Sequence, residues 1–170
     1  MTPSHPADHN PLMTVDDRAV RELIDHKRVS DALYRYAERI DVKDYDGLRQ
    51  VLTDDVVGIY NDYPPLEGAD VLVEWIRKAT ADRAWQHHKL TVYRVDVDGD
   101  TASAVTYHTS HQVREADPDT VIVMIARYYD DLRRDGDRWL ISRKVMETGW
   151  REERHAPQPV RTSGVAPARP

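Results

Sequence analysis

Cysteine is absent from the 170-residue chain, which excludes a disulfide framework, a thiolate nucleophile and a cysteine-based zinc site. Nothing therefore ties the chain to an oxidising compartment, and a cytoplasmic location is the expectation. Only seven glycines are present, and none forms a phosphate-cradling loop, so nucleotide binding has no support. No run of about 18 apolar residues exists for a membrane span, and the first residues lack the apolar core of a signal peptide. Basic charge is not in excess either. The net charge is −6 and the pI about 5.7, with Lys and Arg mixed among acids, so neither nucleic acid nor membrane is expected as a partner.

What is present suits one domain with a sizeable core. The opening MTPSHPADHNPL has three prolines and little to bury, and residues 1–13 read as a flexible leader. Thr14 with Asp17 gives a capping pattern. Leu23, Val29, Leu33, Tyr36, Ala37 and Ile40 then recur at helical spacing, predicting a helix from about residue 16 to residue 40. Asp44 is the expected N-cap of a short helix through Leu52, with Thr53-Asp54-Asp55 as the turn into the apolar strand VVGIY. The turn-rich NDYPPLEGAD leads to a third helix, with Val71, Leu72, Trp75 and Ile76 on one side.

From Gln86 onward the pattern is four long strands: LTVYRVDV, TASAVTYHTSHQV, VIVMIARYYDDL and WLISRKVM, with tight turns at Asp98-Gly99-Asp100 and in RRDGDR. Helices first and a meander after imply an α+β fold, with three N-terminal helices packed on a curved antiparallel sheet over residues 14–152. Residues 153–170, rich in Pro, Ala and Arg, read as a flexible tail.

The chemistry-bearing side chains are Asp41, Tyr60, the pair His87-His88, and the strand residues His108 and His111. Because side chains alternate along a strand, only one of His87 and His88 can point inward, and His108 and His111 lie on opposite faces. That split also removes His108-x-x-His111 as a metal pair, and no metal is expected. The acidic EADPD loop lacks the glycine and terminal glutamate of a calcium loop. The four tryptophans read as packing residues.

Residues Ile40 to Tyr60, IDVKDYDGLRQVLTDDVVGIY, place an acid before x-K-D-aromatic-D-x-L-R and a tyrosine nineteen positions after the acid. This resembles the opening of scytalone dehydratase and its SnoaL-like relatives, members of the nuclear-transport-factor-2-like, cone-shaped α+β superfamily. Gln86-His87, His111-Gln112, Trp139 and Trp150 follow in the family's order, so the resemblance spans Asp16 to Trp150. The family's substrate-holding Ser-x-Asn pair is replaced here by Ala126 and Tyr128, and the tyrosine preceding the acid by Ile40. The dehydratase's own substrate is therefore not expected.

The resemblance implies a cofactor-independent lyase that dehydrates a small cyclic or polyketide-like hydroxy-carbonyl compound. Asp41 with His111 would form the general-base dyad, while Tyr60 and His87 would donate hydrogen bonds to the substrate carbonyl. Tyr36 joins them by the Tyr…Asp…Tyr…His order of SnoaL-like bile-acid dehydratases. A regular helix turns about 140° between Tyr36 and Asp41, so Asp41 is expected beyond the last regular turn.

Strand parity adds Tyr128, Lys144 and Met146 to the substrate site, with Lys144 placed to neutralise a substrate carboxylate. His26, His88 and His108 are assigned structural or surface roles. The same pocket also suits an isomerase or cyclase, an epoxide hydrolase, or a non-catalytic small-molecule-binding module. A homo-oligomer, dimer or trimer, is expected.

Overall fold

The computed structural model describes residues 16–155, and the leader (1–13), Thr14 and the tail from 156 lie outside them. Helix α1 (Asp17–Asp41) starts at Asp16, whose carboxylate accepts the Arg18 N–H at 2.9 Å. Its buried stripe is Val29, Ala32, Leu33, Tyr36, Ala37 and Ile40, at the spacing of one helical face. Leu23, expected in that stripe, is exposed, because the first turns of α1 carry no buried residue.

Helix α2 (Tyr45–Arg49) is capped by Asp44, which accepts the Gly47 N–H at 2.9 Å. A Cβ on Gly47 would clash with that same carboxylate. The helix ends earlier than its apolar letters suggest. Leu52 already opens strand β1 (Leu52–Tyr60), which includes Thr53-Asp54-Asp55. The register of β1 shifts between Leu52 and Val57, so the expected turn is an irregular stretch of strand.

Strand β2 (Leu66–Glu67) is a short hairpin partner of β1. Helix α3 (Ala69–Ala79) follows Gly68, whose φ of +90° favours glycine. It buries Ala69, Leu72, Val73 and Ile76. Val71 points outward, since the 3.6-residue period places 69, 72, 73 and 76 on one face.

Strands β3 (Arg83–Asp98), β4 (Thr101–Arg114), β5 (Asp117–Asp135) and β6 (Arg138–His155) form the expected meander. Gly99 and Gly136 supply the positive φ of two of its turns. The sheet has six strands in the order β2-β1-β6-β5-β4-β3. It is antiparallel throughout except for β1 against β6, which is parallel. Register shifts in β3 and between β5 and β6 bend it.

Helices α1 and α3 cover the inner face, α1 against β3 and β6 and α3 against β1. The core of Leu33, Tyr36, Leu48, Leu72, Leu132 and Ile141 lies between these layers. The other face carries exposed Trp85, Tyr93, Tyr107, Ile125 and Trp150, with the Tyr93 and Tyr107 rings stacked 5.0 Å apart. No helix among the described residues is long and apolar enough to cross a membrane.

Candidate active site

The site begins where α1 ends. Lys43, at φ +55°, breaks the helix, and its Nζ donates to the Arg83 carbonyl at 2.9 Å. Buried Gln86 donates from Nε2 to the carbonyl of Ile40. These two contacts seat the helix end on β3. Gln86 and His88 share a strand face, so His88 faces the helix end as well. Asp41 is the last helical residue, not a residue beyond the last turn.

Asp41 holds His88 with both oxygens. Oδ1 lies 2.5 Å from Nδ1, and Oδ2 accepts the His88 backbone N–H at 2.9 Å. A carboxylate on Nδ1 makes that nitrogen the N–H and leaves Nε2 as a proton acceptor. The two side chains are 19% and 9% exposed, so the dyad sits at the border between interior and solvent.

From His88 the inner face continues inward as a chain of rings. His88 stacks on His108 at 5.0 Å, and His108 meets Tyr128 at 5.0 Å. His108 is only 2% exposed, and neither ring nitrogen has a partner among the described residues. Burial pushes its pKa down to about 3, with help from His88 and Lys144. Gln86 Oε1 and Thr106 Oγ1 are also buried without partners. Buried polar atoms are normally paired, so these groups hold hydrogen-bonding capacity that the described residues do not use.

Lys144 lies beyond Tyr128. Its Nζ sits 4.0 Å from the Tyr128 ring centre and 4.3 Å from that of Tyr36. It contacts Asp130 at 2.7 Å, and the two side chains are 1% and 0% exposed. Burial draws the lysine pKa down and the aspartate pKa up, each opposed by the partner's charge.

The Tyr36 and Tyr60 phenols hydrogen-bond to each other, and Tyr60 packs on Trp75 at 4.6 Å. Burial raises the pKa of Tyr36, Tyr60 and Tyr128, so all three stay protonated. One phenol donates to the other, which leaves one O–H of the pair free to donate elsewhere.

Asp41, Tyr36, Tyr60, Tyr128 and Lys144 are thus brought together on the inner face. Met146 lies directly opposite Tyr128 and packs against the core. His87 and His111 are not part of this set. They pair with each other in the β3–β4 ladder, rings 6.4 Å apart, beside exposed Trp85. The partner of Asp41 is His88, and the second inner histidine is His108.

Alternation explains both corrections: Gln86 and His88 share one parity on β3, and Thr106, His108, Ser110 and Gln112 share one on β4. Asp130 was not expected in the site at all, and it takes the Lys144 cation that was assigned to a substrate carboxylate. Among the described residues no group of three or more His, Asp or Glu is arranged to hold a metal. A hollow of about 700 Å³ lies elsewhere, at the β5–β6 turn, lined by Arg49, Asp54, Asp55 and Arg133.

Comparisons with known proteins agree with this geometry at the level of fold. Residues 21–145 match the family model for the SnoaL-like domain. An uncharacterized protein of Mycobacterium tuberculosis strain H37Rv is 31% identical over 131 residues, covering 75% of this chain and 87% of that protein. A type 2 hexachlorocyclohexane dehydrochlorinase superposes with a TM-score of 0.75 at 13% identity, covering 86% of this chain and 99% of its own. A candidate scytalone dehydratase from Novosphingobium aromaticivorans gives 0.74 at 13% identity, covering 87% and 99%.

Proposed function

The chain belongs to the SnoaL-like domain family of the nuclear-transport-factor-2-like superfamily, and from that premise we propose that it is a lyase that dehydrates a small cyclic or polyketide-like hydroxy-carbonyl compound. The observation that carries this reading is the two-oxygen hold of Asp41 on His88. It fixes the imidazole orientation and presents Nε2 as a base.

In the proposed reaction Nε2 takes the proton alpha to the substrate carbonyl, and the C–H electrons move onto the carbonyl oxygen. His108, held neutral, has one N–H to donate to that oxygen, and the Tyr36–Tyr60 pair supplies one free O–H. The enolate then expels the beta-hydroxyl, which leaves as water with the proton carried by His88. The relatives' named chemistry, dehydrochlorination and scytalone dehydration, is likewise elimination. Isomerisation or ring closure would begin with the same proton abstraction. The exposed aromatic face of the sheet is the surface by which we expect the chain to self-associate.

Two measurements test the reading. Nitrogen-15 NMR of the imidazoles should show His88 as the Nδ1–H tautomer in the wild type and not in Asp41→Asn. A panel of cyclic hydroxy-ketones, followed by mass spectrometry, should yield a product lighter by one water. A His88 that carries its proton on Nε2 in the wild type would sink the proposed base.

A further inference from the structure

Charge on the inner face is paired off, and the pairing decides what a bound molecule can carry. Lys144 is the only Lys or Arg among the buried residues described. It faces Asp130 across the β5–β6 ladder at 2.7 Å, with both side chains closed off from solvent. Wherever the proton between them sits, on nitrogen or on oxygen, the sum of the two is zero.

His108 adds no charge, since burial with His88 and Lys144 nearby keeps its ring neutral down to about pH 3. Asp41 remains, engaged with His88. The interior therefore offers hydrogen-bonding groups, namely His108, Gln86, Thr106 and the tyrosine pair, and no surplus cation. An ionised carboxylate or phosphate brought here would lose its hydration and find no unpaired cation to replace it.

We infer that Asp130 is a specificity-determining residue: by cancelling Lys144 it restricts the site to uncharged ligands, so the substrate class is neutral hydroxy-carbonyl compounds. This rests on the inner face being the ligand site proposed above. It also gives Lys144 its place. The lysine braces Tyr36 and Tyr128 through their ring faces, while its charge is consumed internally.

The test uses 2-naphthol and 2-naphthoate, which share a bicyclic frame and differ in charge at neutral pH, with binding read by titration calorimetry. The wild type should bind 2-naphthol at least about tenfold more tightly than 2-naphthoate. In Asp130→Asn the side-chain volume is kept but the Lys144 charge is no longer cancelled, so an anionic ligand on the inner face becomes its counter-charge. The affinity for 2-naphthoate should rise by about tenfold or more, with 2-naphthol changed less than about threefold. The heat of 2-naphthoate binding should then depend on the buffer if Lys144 regains a proton with the ligand.

Asp130→Asn with Lys144→Met, which buries no ion at this place, should return to the wild-type preference. It keeps the test decisive if the single variant does not fold. The inference is overturned if the wild type binds both probes equally or neither up to the solubility limit. It is also overturned if the double variant loses the preference, or if a folded Asp130→Asn gains nothing for 2-naphthoate. Because binding is read and not turnover, a protein that prefers 2-naphthol yet converts none of the hydroxy-ketones would count against the lyase reading and leave the exclusion of charged ligands standing.

Discussion

His88 and His111 stand one register step apart on facing strands: His88 opposite Ser110, His111 opposite His87. That step turns the two imidazoles to opposite sides of the sheet. His88 is bonded to Asp41 at 2.5 Å, and His111 stacks loosely on His87 at 6.4 Å. In the proposed reaction His88 is the base and His111 takes no part.

His88→Gln should therefore lower turnover by about 10²–10⁴-fold, the usual contribution of a positioned general base. His111→Gln and His87→Gln should each change it by less than about threefold. The comparison is a kcat measurement on any compound found to lose water. Equal losses at His88 and His111 would contradict the geometry.

Tyr36 and Tyr60 share one hydrogen bond in the core. Tyr60→Phe leaves the Tyr36 hydroxyl buried without that partner, at a cost of about 1–3 kcal/mol. Removing both hydroxyls should cost less than the sum of the single changes, because neither is then left unpaired. Urea unfolding of the four proteins in the cycle gives the coupling directly.

Lys144→Met strands Asp130 in the interior and should destabilise by about 3–5 kcal/mol. Lys144→Met with Asp130→Leu removes both ions and should return to within about 1 kcal/mol of the wild type. Chemical denaturation separates the two cases, and an additive double variant would show that the pair is not coupled.

His108 makes the fold sensitive to acid. Its folded pKa is about 3, against about 6.5 for an unfolded histidine. Between these values the unfolded chain binds a proton that the folded chain does not. Stability should be level above about pH 6.5 and fall as the pH drops toward 3, by up to about 1.4 kcal/mol per pH unit from this one group. His108→Gln should remove that part of the slope, as read from urea midpoints at several pH values.

Several of these features can be read from the letters. Asp44 as a cap, the Asp98-Gly99-Asp100 turn and the four-strand meander follow from local chemistry. Asp41, Tyr36 and Tyr60 are singled out by the family resemblance, through the order Tyr…Asp…Tyr…His, and not by local chemistry. The choice between His87 and His88 is different in kind. It depends on which β3 residues meet the end of α1, a tertiary fact expressed in Gln86 reaching Ile40.

Asp130 was hidden for a similar reason. Beside Asp131 it reads as a solvated strand position, and only the β5–β6 register brings Lys144 opposite it. Thr53-Asp54-Asp55 has the composition of a turn. It is held in strand form because Leu52 and Val56, on either side, are both buried in the core.

The parallel ladder between β1 and β6 also governs how the chain can acquire its shape. Among the described residues β1 has no sheet neighbour except β6 and the two-residue β2, and Tyr60 pairs with Met146. During synthesis α1, α2, β1 and α3 emerge first, with their apolar faces uncovered, and must wait until the last strand has left the ribosome. Contacts of such long sequence separation form slowly, so the interval before β6 arrives is when the nascent chain is most exposed to aggregation and to chaperone capture.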